Sequence, residues 1–124
     1  MHADPPVYHR DIREPNIMKR FNDDAWFLID WSDASTAPTR GVTHLKESEH
    51  SPRVREDNHG AEVDIWGTGK FMEVLADRAT TCIANPEAVR RMARKWMEDR
   101  GTTATSALNE IEVSIYHLKM RAMY

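Results

Sequence analysis

His9-Arg10-Asp11-Ile12-Arg13-Glu14-Pro15-Asn16 stands near the start of the chain, and Phe27-Leu28-Ile29-Asp30-Trp31 follows within twenty residues. The two stretches carry a carboxylate, an amide five positions later, and a second carboxylate nineteen positions after the first. Between them, Asn16-Ile17-Met18-Lys19-Arg20 and Ala25-Trp26-Phe27-Leu28-Ile29 are short β-prone runs separated by the polar cluster Asn22-Asp23-Asp24. Two such runs around a turn cluster predict a β-hairpin over 16–30.

Outward from the hairpin, residues 1 to about Val7 hold two prolines and little to bury, and read as a tail or a cut end. Downstream, Ser32 to about Gly60 is polar and punctuated by Pro38, Gly41, Pro52 and Gly60. A loop that long inside a compact domain is more often functional than not. Helical patterns follow. Residues 61–78 carry Val63, Trp66, Phe71, Met72 and Leu75, with Gly67 and Gly69 lowering the intrinsic propensity. Asn85-Pro86-Glu87 reads as a helix start: a capping amide, a proline in the first turn, and an acid at the positive end of the dipole. Val89, Met92, Ala93, Trp96 and Met97 then form one apolar stripe, and Gly101 is placed to end a helix over 86–100. Leu108, Ile111, Ile115 and Leu118 form a second stripe on a helix over 105–122. The expected class is α+β, mainly α: one small hairpin and three helices.

With 124 residues, the chain is at most one domain, and 40% hydrophobic with 30% charged residues is an ordinary globular balance. A net charge of −3 lacks the basic surplus of nucleic-acid binders. One cysteine, Cys82, excludes an internal disulfide. No apolar run approaches membrane-spanning length, and Met1-His2-Ala3-Asp4-Pro5-Pro6 lacks a signal pattern. The expectation is an intracellular, cytoplasmic protein that binds neither membrane nor nucleic acid.

His9 to Asn16, with Asp30 downstream, resembles the catalytic loop and magnesium motif of the protein kinases, H-R-D-x-x-x-x-N followed by D-F-G. His59-Gly60-Ala61-Glu62-Val63-Asp64-Ile65-Trp66-Gly67-Thr68-Gly69 resembles the D-x-W-x-x-G opening of a buried large-lobe helix in that family. Ser51-Pro52-Arg53 lies where A-P-E is expected, and the wording of the motifs is most similar to the fungal-type protein kinases. The resemblance implies a partial protein kinase domain over 1–124. Its parts would be a catalytic loop at 9–16, a magnesium motif at 30–32, an activation segment at about 32–60 and a helical part at 61–124.

The roles that follow are those of phosphoryl transfer from ATP to protein Ser/Thr hydroxyls. Asp11 would be the catalytic base, and Arg13 would steady the transferred phosphate. Asn16 and Asp30 would hold Mg2+ against ATP. His9 would bridge the loop to the magnesium motif, Arg10 would pair an activation-loop phosphate, and Asp64 with Trp66 would support the loop from the helix. The three side chains Asp11, Asn16 and Asp30 would converge on one pocket, with at least one carboxyl raised in pKa by its like-charged neighbour.

Departures from the family pattern bear on activity. The glycine-rich loop, the strand lysine and its glutamate partner are missing, so the small lobe is absent unless supplied upstream or in trans. Ser32 replaces the glycine of D-F-G, and Arg53 reverses the charge of the A-P-E glutamate. The expectation is a large-lobe fragment without activity on its own, with an unknown protein substrate or partner. A small-molecule kinase of the aminoglycoside or choline type is one alternative, although it would carry His-Gly-Asp rather than His9-Arg10-Asp11. A non-catalytic pseudokinase fragment acting by partner binding is the other. His44, His50 and His59 match no zinc spacing and read as polar loop residues, and Arg90, Arg91, Arg94 and Lys95 read as a solvated helix face.

Overall fold

The computed structural model describes residues 4–23, 25–78, 81 and 83–122, the last eight of these as backbone. Cys82 lies outside them. The chain is a small α+β unit with three helices, α1 (Glu62–Arg78), α2 (Pro86–Glu98) and α3 (Ala104–Ala122). Among the described residues, four short strands form two antiparallel pairs. The hairpin of β2 (Ile17–Lys19) and β3 (Trp26–Leu28) has Ile17 opposite Leu28 and Lys19 opposite Trp26. The second pair, β1 (Val7–Tyr8) with β4 (Ser35–Thr36), was not foreseen. It fastens the expected tail to the start of the polar segment.

α2 forms as its sequence dictates. Asn85 caps it by accepting from Ala88 N–H at 3.0 Å, Pro86 occupies the first turn, and Ala93 and Trp96 are buried. The helix stops at Glu98, short of Gly101, whose N–H donates instead to the Asp99 carboxylate at 2.8 Å. On α3 the buried face differs from the expected one. Ala107 is buried and Ile111 packs against the cluster of Ile65, Trp96 and Ala107, whereas Leu108 is 55% exposed. The small Ala107 lets α3 approach Trp96, and Leu108, one position further round, turns to solvent. Ile115 and Leu118 have no described side chains.

The two glycines that weaken α1 as a helix are its contact points. A Cβ on Gly67 would lie 2.7 Å from the Ile12 carbonyl oxygen, and one on Gly69 would lie 2.8 Å from that of Ala93. Their bare backbones let the His9–Asn16 loop and α2 press against α1. α1 thereby becomes the central post of the fold, with Val63, Asp64, Ile65, Gly67, Gly69 and Ala76 buried.

The 32–60 segment is packed rather than free. Leu45 and Val54 join Val63 in a small apolar cluster, and a 3-10 turn spans Pro52–Arg55. Val42 N–H donates to Val54 O at 2.9 Å, and Asn58 N–H donates to Thr39 O at 2.8 Å. Polar as it reads, the segment pairs several of its own backbone groups. No helix among the described residues is long and apolar enough to cross a membrane.

Candidate active site

The His9–Asn16 loop is held from beneath by one buried carboxylate. Asp64 Oδ2 accepts from the His9 N–H at 2.8 Å, and Oδ1 accepts from the Arg10 N–H at 2.7 Å. These bonds span 54 and 55 residues of sequence and set the loop's height above α1. They also hold Arg10 at φ 68, a conformation that bulky residues seldom adopt without such over-determination. Burial pushes the Asp64 carboxyl above the usual aspartate range, against the opposing pull of its two N–H donors. Trp66, two residues along α1, is half-buried.

His9 is fully buried and its hydrogen bonds fix its tautomer. Nδ1 accepts from the Asp11 N–H at 3.2 Å, so Nε2 carries the proton and donates to Ile29 O at 3.0 Å. Ile29 N–H in turn donates to Asn16 O at 2.9 Å. The residue before Asp30 is thus tied to both ends of the loop. Trp31 sets its ring edge-on to His9, with centroids 4.6 Å apart.

Asp11 is the hub, only 4% exposed. Its Oδ1 accepts from Arg13 Nε at 2.8 Å, and its Oδ2 accepts from Asn16 Nδ2 at 2.9 Å. Asn16 Nδ2 also donates to the Asp11 backbone oxygen at 2.9 Å. A third donor comes from outside the motif: His50 Nε2 lies 2.6 Å from Asp11 Oδ1. Burial opposes ionisation of Asp11, but the hydrogen bonds from His50, Arg13 and Asn16, with the Arg13 charge, outweigh it and hold the carboxyl below its usual range. Asp30 is exposed and at φ 56. Its Oδ1 accepts from Ser32 Oγ at 2.5 Å and from Ser32 N–H at 3.3 Å, bonds that lower its pKa.

The structure therefore brings Asp11, Arg13 and Asn16 into direct contact and anchors Asp30 beside them through the backbone, with its carboxylate turned to Ser32. The expectation that crowding would raise the pKa of Asp11 or Asp30 fails, because donors surround each carboxylate more closely than the other carboxylate does. Ser32, where a glycine was expected, supplies one of those donors. Arg10 Nε donates to Asp33 O and its Nη1 to Arg40 O, clamping the start of the long segment. Arg53 pairs with acids, its Nε 3.3 Å from Glu62 and its Nη2 3.8 Å from Glu56.

Sequence reasoning missed His50. No local spacing marks it, since its partner lies 39 residues away and nearby His44 and His59 share its polar setting. Among the described residues no three His, Cys, Asp or Glu side chains are grouped to hold a metal ion. The oxygens Asn16 Oδ1 and Asp30 Oδ2 are nonetheless hard donors of the type Mg2+ takes beside phosphate oxygens and water.

Comparison with known proteins adds one partial likeness. Over 69 residues the chain is 37% identical to "Crinkler effector protein 8" of Phytophthora infestans, a stretch that is 52% of this chain and 12% of that protein. The chain thus spans about an eighth of that relative's length. No protein-family model and no solved structure matches it.

Proposed function

We propose that the chain is the catalytic-loop part of a protein kinase large lobe, whose family activity is ATP-dependent phosphoryl transfer to protein Ser/Thr hydroxyls. The observation that carries this reading is the Asp64 carboxylate accepting from both His9 and Arg10 N–H groups. A chance His-Arg-Asp would have no reason to sit on a buried acid from D-x-W-x-x-G. In this reading Asp11 is the base, Arg13 would steady the transferred phosphate, and Asn16 and Asp30 would hold Mg2+ against the ATP phosphates. Bound Mg2+ would supply charge neutralisation at the transferring group. Asn16 suits that task, because its Nδ2 is committed to Asp11 and its Oδ1 remains for a cation.

Positioning is nearly all of catalysis in phosphoryl transfer. The chain carries no glycine-rich loop or strand lysine to align the phosphates, so transfer needs those parts upstream or in trans. Purified chain is expected to transfer no phosphate to a generic substrate. Nucleotide contact is tested with Mn2+ and ATP, whose paramagnetism broadens nearby amide resonances even when binding is weak. Selective broadening at Asn16, Ile29 and Asp30, lost in Asp30→Asn, supports the reading. Uniform broadening, or none, removes it.

A second reading is a non-catalytic fragment that binds a partner. The exposed aromatics Trp26, Phe27 and Trp31 beside the site favour it, and the partial likeness to a protein named as an effector is compatible with it. The small-molecule kinase reading has less support, because it does not account for the Asp64 contact.

A further inference from the structure

His50 closes the 32–60 segment onto Asp11, and its surroundings define its charge. Nδ1 lies 2.8 Å from Lys46 O, and a carbonyl only accepts, so Nδ1 carries a proton. Nε2 faces Asp11 Oδ1 at 2.6 Å, an oxygen that already accepts from Arg13 Nε, while Oδ2 accepts from Asn16. A carboxylate with three donors aimed at it is ionised and has no proton to offer. Nε2 is therefore protonated as well, and the ring is an imidazolium. Both partners are nearly out of water, with side-chain exposures of 7% and 6%. The other charges around this junction are Arg13 from the catalytic loop and Glu49 from the His50 turn, paired at 3.5 Å. Lys46 presents its carbonyl to the ring and keeps an exposed side chain.

We propose that His50 is a positioning residue for Asp11, a protonated latch that orients the carboxylate and docks the end of the 32–60 segment on the catalytic loop. Loss of one imidazole proton opens it. The neutral ring keeps its Nδ1 proton on Lys46 O, and a lone pair then faces the Asp11 oxygen. The contact changes from attraction to repulsion, and Asp11 is uncovered. A substrate hydroxyl needs a lone pair of Asp11, so in the kinase reading, on which this consequence rests, latch opening governs access to the base. The latch itself is a contact within the chain and stands whatever reaction the loop serves.

Hydrogen exchange at the Leu45–Val54 amides, with intrinsic rates divided out, tests this as the pH is raised from mildly acidic to mildly alkaline. In wild type, protection should fall on the order of tenfold with rising pH, the equivalent of losing one charge-assisted hydrogen bond. His50→Gln keeps a neutral donor that cannot titrate, so its protection should be intermediate and flat with pH. His50→Ala should lose protection at every pH. Retained protection of Ile65 and Trp96 confirms that α1 and α2 stay folded; if His50→Ala unfolds, wild type against His50→Gln decides. A flat wild-type profile, or a His50→Gln profile that tracks wild type, overturns the latch. The manganese–ATP experiment tests the kinase reading separately: broadening absent with a sloped exchange profile removes the kinase and keeps the latch, and the reverse result does the opposite.

Discussion

Two faces of the same site are built to different standards. The His9–Asn16 loop rests on α1 through buried partners: Asp64 beneath two backbone amides, Gly67 against Ile12, and His9 bridging to Ile29. The hairpin face, which leads into Asp30, exposes large apolar side chains instead, with Trp26 at 64% and Phe27 at 43%. Ile12, Ile17, Trp26, Phe27, Leu28, Trp31, Thr68 and Phe71 line one open apolar groove there. The loop side of the site is thus held within the chain, while the Asp30 side borders a surface suited to being covered.

The sharpest way to break this comparison is at the support. Asp64→Ala strips an ionised acceptor from two backbone N–H groups and leaves both unpaired in the interior. Bonds to charged groups and stranded buried donors each count for 1–3 kcal/mol, so a loss of about 3 kcal/mol is expected, read as a drop in the urea midpoint. A loss below about 1 kcal/mol would mean that the loop is held from elsewhere and that the difference between the two faces is superficial.

The parts of the molecule legible in the sequence are those fixed by local chemistry. The hairpin was marked by two β-prone runs around Asn22-Asp23, and α2 by its Asn85-Pro86-Glu87 start and apolar stripe. The ties from Asp64 to the loop and from His9 to Ile29 were reachable only through motif resemblance, since nothing local signals a contact across 54 residues. His50 lacked even that, and so was left among polar loop residues. Gly67 and Gly69 carried an ambiguous signal. As helix residues they look like defects, and only the neighbouring chain reveals them as points of close approach. Leu108 was misassigned because hydrophobicity alone favours it over Ala107, whereas the space beside Trp96 favours the smaller residue.

Gly67→Ala probes the same junction less severely. The added methyl would meet Ile12 O at 2.7 Å, so the loop must lift or α1 must shift. Overpacking of this kind costs about 1–3 kcal/mol, offset by the roughly 1 kcal/mol by which alanine favours a helix. A net loss of about 1 kcal/mol is expected. A gain in melting temperature would show that the contact between loop and helix is loose.

Acid separates the carboxylates by sign. Asp11 and Glu62 are held below their ordinary pKa values, so their contribution is present at neutral pH and is lost as pH falls below the ordinary carboxylate values through the lower folded ones. Glu62 reaches that state because Gly60 N–H, its own N–H and Arg53 outweigh its burial. Asp64 runs the other way. Its raised pKa favours the folded state in acid, and stability falls as pH rises through the window between its ordinary and its raised value. Asp11→Asn should therefore flatten the acid limb of a stability-against-pH curve, and Asp64→Asn should steepen it. If both variants shift the limb in the same direction, the sign assigned to one of them is wrong.

The smallest stability effect is expected on the other face, where the comparison predicts near silence. Phe27→Ser removes an exposed ring from β3 without emptying a core, and Trp26→Thr keeps a β-favouring residue in its place. Each should change stability by no more than about 0.5 kcal/mol, as surface substitutions do, even though it deletes far more apolar area than Asp64→Ala. Trp26 also lies under Lys19, with the ammonium 5.8 Å from the ring centroid, an exposed contact at the weak end of such pairs, about 0.5 kcal/mol. What should change is association. An apolar groove flanked by exposed aromatics drives self-contact, so the double variant should stay monodisperse at concentrations where the parent chain broadens in sedimentation. A loss of several kcal/mol from Phe27→Ser would show that this face is core to the fold, and the asymmetry between support and surface would disappear.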